Sequence, residues 1–452
     1  MIHFSGYDDV INRIYGHRQE HVFKHWDELN DADKKHLLDD LKNIDLELME
    51  KLYAGKPQDT AAFTPAPFIE LPKTAEQKAA QAKAAQTGVE FIKKGLAAAF
   101  VVAGGQGSRL GCEGPKGMFP IAPISGKTLF QIHGEKILAY SRKYKTSIPW
   151  LVMTSVDNHD DTLDYFEKMN FFGLGKNDVF IFPQNMIPSL DTDGKLVLEN
   201  PCSIFKNPDG HGGSLAALSG SGTLEKMKER GIRLISYFQV DNPLIKIIDP
   251  EFIGYHILYG ADISSKAIPK AYPEEKVGVF VKFNNGRTGV VEYSDLPAEK
   301  TTQRGKNGEL LYRAGNIAVH LFSLDFIESL TSEKKIALPF HTARKKLPVY
   351  AGEIEGFKFE KFIFDAITMT ERSVIMETLR EDEFAPVKNA AGVDSPETSQ
   401  RLMIELHKKW LTQRGVSIPQ RVSVIEISPL TAVAPEDIPS GLTVPNKEEV
   451  EL

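Results

Sequence analysis

Cysteine is nearly absent from this chain. Only Cys112 and Cys202 occur among 452 residues, so no disulfide framework can organise the fold, and a reducing, cytoplasmic setting is expected. Long apolar runs are missing as well. No stretch approaches the ~18 uninterrupted apolar residues of a membrane-spanning helix. The start, Met1-Ile2-His3-Phe4-Ser5-Gly6-Tyr7, lacks the basic-then-apolar order of a secretory signal. Positive charge is in deficit: the formal net charge is −7, and Lys and Arg are scattered rather than striped, which argues against a nucleic-acid partner. No internal repeat or low-complexity tract stands out, and nothing fixes an oligomeric state. A composition of 42% hydrophobic and 25% charged residues is that of a soluble globular protein, long enough for two or three domains.

What the chain does have is glycine in one conspicuous place. Ala103-Gly104-Gly105-Gln106-Gly107-Ser108-Arg109-Leu110-Gly111 is closed by Pro115-Lys116-Gly117. Leu96 to Val102 before it reads as a buried parallel strand, and Thr128 to Leu138 after it has helical spacing. Without Cβ atoms the loop can turn sharply and bring backbone N–H groups against an anion or a flat base. Arg109 and Lys116 add two cations, so phosphate is the expected guest. The dinucleotide fingerprint fails on spacing, because Leu110 stands where its third glycine belongs, and no glycine is followed directly by Lys and Ser or Thr as in a triphosphate P-loop. A tight surface loop with two solvated basic residues is the alternative.

Residues 9–54 read as two or three amphipathic helices, with Asn30 or Asp31 capping a stripe of Leu37, Leu38, Leu41 and Ile44. Four prolines between Lys56 and Lys73 mark a wrapped connector. Thr74 caps an alanine-rich helix that Gly95 ends. From 96 onward, apolar runs at 151–154, 179–182, 234–240, 277–281 and 289–293 alternate with helical stretches, which predicts an α/β fold with a mostly parallel sheet. The glycine loop, Gln184, Asp241 and Glu292 all follow or end a predicted strand, the edge where such sheets bind ligands. Near Glu381 the pattern changes. Ser395-Pro396-Glu397 starts a helix carrying Leu402, Leu406 and Trp410, β-like segments such as 422–427 follow, and the acidic end from Asn446 to Leu452 is expected to fray. The predicted division is 1–95, a helical amino-terminal region; 96–385, the central domain; and 386–452, a small α+β domain.

Further stretches carry chemistry. Gln184 ends a strand with an amide that can donate and accept at once, as the edge of a pyrimidine requires. Asn207-Pro208-Asp209-Gly210-His211-Gly212-Gly213-Ser214 is a second glycine loop, read as preceding a helix from Leu215 to about Gly231. Asp241, just past an apolar strand, suffices for a magnesium ion held with a triphosphate, which needs one or two protein carboxylates; a turn aspartate is the bland alternative. Asn316, within Arg313-Ala314-Gly315-Asn316-Ile317-Ala318, suits a sugar hydroxyl or an acetamide, and otherwise reads as a turn residue. Lys361-Phe362-Ile363-Phe364-Asp365 alternates as a strand would, with core packing the default for its rings. Lys388 sits in a loop after Arg380-Glu381-Asp382-Glu383-Phe384-Ala385-Pro386-Val387.

In this order, the motifs AGGQGSRLG, PKGMF, Asp-Gly-x-Gly-Gly, VDN, VEYS, AGNIA, EKFIFD and REDEFAPVKNA resemble the uridylyltransferase family that makes UDP-sugars, most closely its UDP-N-acetylhexosamine pyrophosphorylases. The likeness covers roughly residues 96–400. It implies a Rossmann-like nucleotidyltransferase domain between two smaller parts, with UTP and a sugar 1-phosphate as substrates and Mg²⁺ as cofactor. By the same resemblance, Gly104, Gly105, Gln184, Gly210 and His211 would hold the nucleotide, with Gly105, Gln184 and Gly210 on the uracil. Arg109, Lys116 and Lys388 would meet phosphate, and Asp241 would hold Mg²⁺. Gly278, Glu292 and Asn316 would hold the sugar, with Phe362 and Phe364 beside its N-acetyl group. His211 stands where these enzymes usually carry Asn; its Gly-His-Gly setting is like that of UDP-glucose pyrophosphorylases. A UDP-glucose or broader UDP-hexose enzyme, and a non-catalytic UDP-sugar-binding protein, are the alternatives.

Overall fold

Two largely apolar runs, Ala97–Val102 and Leu234–Gln239, lie side by side as parallel strands, in register from Leu234↔Ala97 to Gln239↔Val102. Burial on both faces explains their continuous hydrophobicity. The structure, a computed structural model, describes residues 2–55, 62–332, 338–350 and 352–452. The chain groups into two compact units. The larger is Ala61–Pro183, Leu215–Ala337 and Phe364–Leu452; the smaller is Met1–Thr60, Gln184–Ser214 and Leu338–Ile363.

The larger unit is built on a ten-stranded sheet. Its strands are β1 (Phe63–Pro65), β2 (Ala97–Val102), β3 (Trp150–Thr154), β4 (Val179–Pro183), β5 (Leu234–Gln239), β6 (Ile263–Pro269), β7 (Val279–Phe283), β8 (Thr288–Val291), β9 (Ala314–Ser323) and β10 (Ser373–Glu377). The order is β1-β7-β9-β5-β2-β3-β4, with β8 on β7 and β6 between β9 and β10. The centre, β5-β2-β3-β4, is parallel, as the alternation of strands and helices predicts. Beyond it, β9 runs antiparallel to β5 and β6. Sequence reading left residues 314–323 out of the sheet, since their small residues and the bulge at Ala318, where φ is +54, break the alternation that marks a strand.

Helices cover this sheet. Thr74 and Gln77 form a reciprocal capping box before α1 (Ala75–Lys93), and Thr128 accepts from Gln131 N to start α2 (Leu129–Tyr144). The first of these crosses α3 (Pro250–Leu258) at two glycines: a Cβ on Gly88 would lie 1.8 Å from Pro250 O, and one on Gly254 1.7 Å from Ala84 O. Ser395 caps α4 (Pro396–Gln413), which buries Leu406 and Trp410.

Four local expectations change. The carboxyl-terminal residues do not fray: Glu449–Glu451 pairs in parallel with Val424–Glu426, because the alternation Glu449-Val450-Glu451 buries Val450. The helix after the second glycine loop is two, Ser214–Gly220 and Thr223–Glu229, divided at Gly222, whose φ of +72 is left-handed. Residues 361–365 are not a strand. Lys361 instead spends its backbone on the glycine loop, donating N–H to Asp209 O at 2.7 Å and accepting from Gly212 N at 2.8 Å. The connector contains β1, paired with β7; its first residues, 56–61, lie outside the described ones.

The smaller unit packs helices Asp8–Gly16, Asp31–Lys42 and Leu46–Ala54 over Ile187, Leu190 and Phe359. Asn30 caps the second of these helices, accepting from Asp33 N, and Leu37, Leu38 and Leu41 are fully buried. An antiparallel sheet of His341–Val349, Gly352–Glu360 and Leu190–Asp191 completes it. Among the described residues no helix is long and apolar enough to cross a membrane.

Candidate functional site

The parallel pairing of β2 with β5 fixes the geometry of the larger unit's candidate site. Because Val102 is opposite Gln239, the glycine loop that follows one and the Asp241 turn that follows the other leave the sheet at the same edge. Val240 N donates to Val102 O at 3.1 Å there. The loop folds back on itself: Gly107 N donates to Gly114 O at 2.9 Å and Lys116 N to Gly105 O at 3.0 Å. That return brings the Lys116 ammonium to 3.1 Å from Asp241 Oδ2. Gly117 must lack a side chain, since a Cβ would meet the Phe130 ring at 2.2 Å. Gly105 and Arg109 stay exposed on the loop, with Gly104 half-buried beside them.

Lys388 joins the same edge through the backbone. Val387 N donates to Asp241 O at 2.9 Å, so the backbone of the next residue, Lys388, starts beside the Asp241 turn. Half-exposed, Lys388 Nζ lies 3.8 Å from Asp394 Oδ2. Asp394 has a φ of +57, a strained position for a residue with a side chain. Its carboxyl is raised chiefly by burial, partly opposed by Lys388 and reinforced by Asp241.

The sugar candidates of this unit also come together. Asn316 N donates to Gly278 O at 2.8 Å, and a Cβ on Gly278 would fall 2.9 Å from Glu292 Oε1. Asn316 Oδ1 accepts from Ala318 N at 3.0 Å, which shapes the bulge of β9. The antiparallel register Tyr237↔His320 carries Asn316 to the edge where Asp241 leaves β5. Phe364 is buried in this unit.

Gln184, Gly210, His211 and Phe362 belong to the smaller unit. There Gly210, at φ +83, has a Cβ position 2.5 Å from Lys361 O, so only glycine fits. The His211 ring stacks on Phe362 at 5.5 Å and 22°, and Phe362 stacks on His341 at 4.4 Å. His211 Nδ1 accepts from Ile363 N at 3.2 Å, which leaves the proton of the neutral ring on Nε2. Desolvation, with a smaller contribution from His341, lowers this histidine to about 4. Asp209 is pushed the other way, to about 6, by burial that Lys361 only partly offsets.

Asp241 has the chemistry of a magnesium ligand: a hard carboxylate, partly exposed at the sheet edge beside the phosphate-type cations. Among the described residues no three His, Cys, Asp or Glu side chains are grouped to hold a metal by themselves. The arrangement therefore fits an ion that takes one protein carboxylate and draws its other ligands from phosphate and water.

Several positioning residues escaped the sequence reading. Asn158, fully buried, donates to Ala103 O at 3.1 Å and to Gly105 O at 3.4 Å and so pins the base of the glycine loop. From α2, His133 Nε2 donates to Val240 O at 2.9 Å, and Lys136 Nζ donates to Pro243 O at 2.6 Å and Ile245 O at 2.9 Å. Burial lowers Lys136 to about 7, against an opposing pull from Glu383. Side-chain clamps on backbone carbonyls have no period, so only the VDN and glycine motifs themselves hinted at where such clamps would be needed.

The model of the UTP–glucose-1-phosphate uridylyltransferase family matches residues 68–433. UDP-N-acetylglucosamine diphosphorylase 2 of Arabidopsis thaliana is 37% identical, across 96% of this chain and 91% of that protein. A probable UDP-N-acetylglucosamine pyrophosphorylase of Dictyostelium discoideum is 34% identical, across 96% and 95%. Among solved structures, the uridine diphosphate N-acetylglucosamine pyrophosphorylase of Trypanosoma brucei superposes with a TM-score of 0.84 at 30% identity, covering 97% of this chain and 95% of that one. With a nucleotidyltransferase-like α/β sheet, a glycine loop and cations gathered at one strand edge, and near-full-length relatives, the chain belongs to the UTP–glucose-1-phosphate uridylyltransferase family.

Proposed function

We propose that this protein joins UTP to N-acetylglucosamine 1-phosphate, releasing UDP-N-acetylglucosamine and pyrophosphate. The observation that carries the proposal is the Lys116–Asp241 pair at 3.1 Å, placed at the sheet edge from which the loop bearing Arg109 leaves, with Lys388 following Val387, whose N–H bonds Asp241 O. Relatives that match over nearly the full length bear UDP-N-acetylglucosamine pyrophosphorylase or diphosphorylase names, which supports the N-acetylated sugar over glucose. The reducing cytoplasm is the proposed setting, supported by the scarcity of cysteine.

A sugar-phosphate oxygen is anionic near neutral pH and attacks the α-phosphorus in line without a general base; its P–O bond forms as the bond to the leaving pyrophosphate breaks. Catalysis is then positioning and charge neutralisation. Half-buried Gly104 and exposed Gly105 receive the nucleotide. Arg109 and Lys116 meet the triphosphate, and Lys388 meets phosphate. Asp241 would hold Mg²⁺, which when bound adds positive charge beside the leaving pyrophosphate. Gly278, Glu292 and Asn316 form a polar corner suited to sugar hydroxyls and an acetamide. Gln184, Gly210, His211 and Phe362 keep the roles that the family resemblance assigns them.

The test is pyrophosphate release from UTP with N-acetylglucosamine 1-phosphate, N-acetylgalactosamine 1-phosphate and glucose 1-phosphate side by side. The first is expected to give the highest kcat/KM. Preference for glucose 1-phosphate would overturn the choice of sugar, and binding of UDP-sugar without turnover would overturn the assignment as an enzyme.

A further inference from the structure

We infer that Asn242 is a positioning residue that ties Lys388 to the Asp241 turn, so that the phosphate-facing ammonium and the metal-binding carboxylate are set as one unit. This rests on the roles given above to Lys388 and Asp241. Asn242 is only 5% exposed, and its amide is used at both ends on the segment leading to Lys388. Asn242 Nδ2 donates to Glu383 O at 2.6 Å, and Oδ1 accepts from Ala385 N at 3.0 Å. The same oxygen accepts from Leu244 N at 3.3 Å, which fixes the amide relative to its own turn.

The segment 384–388 has no ladder of its own to hold it. Besides Asn242, its hydrogen bonds include Phe384 N on Arg380 O at 2.9 Å, Val387 N on Asp241 O at 2.9 Å and Lys388 N on Asp394 O at 2.7 Å, with Ser399 Oγ on Ala385 O at 2.8 Å; of these, only the Val387 bond reaches the Asp241 turn, which Asn242 reinforces. An amide that donates and accepts in one plane can grip two successive peptide groups; Ala cannot, and Asp retains only the accepting half. A loop that is released by an ångström carries its lysine off the reacting phosphate, and displacements of that size cost about 10²-fold in rate.

A double-mutant cycle tests this. Asn242→Ala is expected to lower kcat about 10²-fold with little change in the KM for the sugar phosphate. In a Lys388→Ala background the same change is expected to cost less than about threefold, because the residue through which Asn242 acts is already gone. If Lys388→Ala is impaired but Asn242→Ala exacts its full cost there too, Asn242 does not act through Lys388 and the inference fails alone. If Lys388→Ala turns over like the wild type, the role of Lys388 itself is wrong. Should Asn242→Ala not fold, Asn242→Asp carries the cycle: it keeps the acceptor for Ala385 and Leu244 and sets a carboxylate against Glu383 O. Undiminished turnover in Asn242→Asp would equally overturn the inference.

Discussion

Lys116 Nζ stands 3.1 Å from Asp241 Oδ2, and each side chain is 17% exposed. The two come from neighbouring parallel strands, one by way of a returning loop and the other by a turn, so their pairing reports the convergence of two separate chain segments. The cation proposed to meet the triphosphate and the carboxylate proposed to hold magnesium satisfy each other here, and both retain partial exposure.

Separating the pair by mutation should give two different phenotypes. Lys116→Ala is expected to lose about 10²–10³ in kcat while its thermal midpoint stays close to that of the wild type, since partly exposed pairs contribute little to stability. Asp241→Asn is expected instead to raise the Mg²⁺ concentration needed for half-maximal rate. Titrating Mg²⁺ against pyrophosphate release in both variants checks this, and an unchanged Mg²⁺ requirement in Asp241→Asn would remove the aspartate from the metal site.

Beneath that edge lies a buried ion cluster. Lys266, with no exposure, sits 2.6 Å from Asp249 Oδ2 and pairs with Glu383, while Thr378 Oγ1 donates to Glu383 Oε1 at 2.6 Å. Burial pushes both carboxyls up, but Lys266 and Lys246 overcome it and hold them below the usual range. Lys266→Met would strand two buried carboxylates with only Lys246, at 3.4 Å from Glu383, to compensate, so a loss of about 3–5 kcal/mol is expected. Urea unfolding measures it. The deficit should shrink toward pH 4, where the stranded carboxyls can take up protons; a deficit that grows on acidification contradicts the assignment.

Buried neutral histidines set the acid limit of the wild type. Burial lowers His133 to about 3 and His211, His256 and His407 to about 4. In the unfolded chain these rings titrate near 6.5, so between pH 6.5 and 4 the unfolded state binds more protons and stability must fall as pH falls. Asp209, raised to about 6, works in the opposite direction by up to one proton. The urea midpoint should therefore drop steadily from pH 7 to pH 5, with a net uptake of about three protons on unfolding near pH 5. A midpoint that rises over that interval would mean the histidines are charged in the folded state.

Much of the larger unit was legible because its physics is local. Buried parallel strands are continuously apolar, as at 97–102, and Thr74, Thr128 and Ser395 announce their helices through caps that need only nearby residues. The meeting of the glycine loop, which carries Lys116, with Asp241 at one edge followed from strand-end logic, whereas Lys388 was reached only through the family resemblance. Where reading failed, the cause was non-local. Residues 361–365 alternate like a strand but bond to the Asp209–Gly212 loop, and Val450 is buried by a partner strand some 25 residues earlier, at Ile425. Asn158, Asn242, His133 and Lys136 hold carbonyls far along the chain, a relationship that no window of sequence displays.

The α1–α3 crossing is set by its glycines. Gly254 on α3 lies against α1 so closely that a Cβ would reach 1.7 Å from Ala84 O, a backbone atom that no rotamer change can move. Gly254→Ala must push the helices apart, and through them the packing of Phe252 and Ile253, both buried; a loss of about 3 kcal/mol, the upper end for overpacking, is expected. Gly220 provides the contrast. It ends a helix, with no atom within 4 Å of its Cβ position, so Gly220→Ala should gain about 0.5–1 kcal/mol by restricting the unfolded chain. Urea midpoints of the two variants must then move in opposite directions. If both fall by similar amounts, the cost at Gly254 is not steric and the close approach of the two helices is not what the glycine serves.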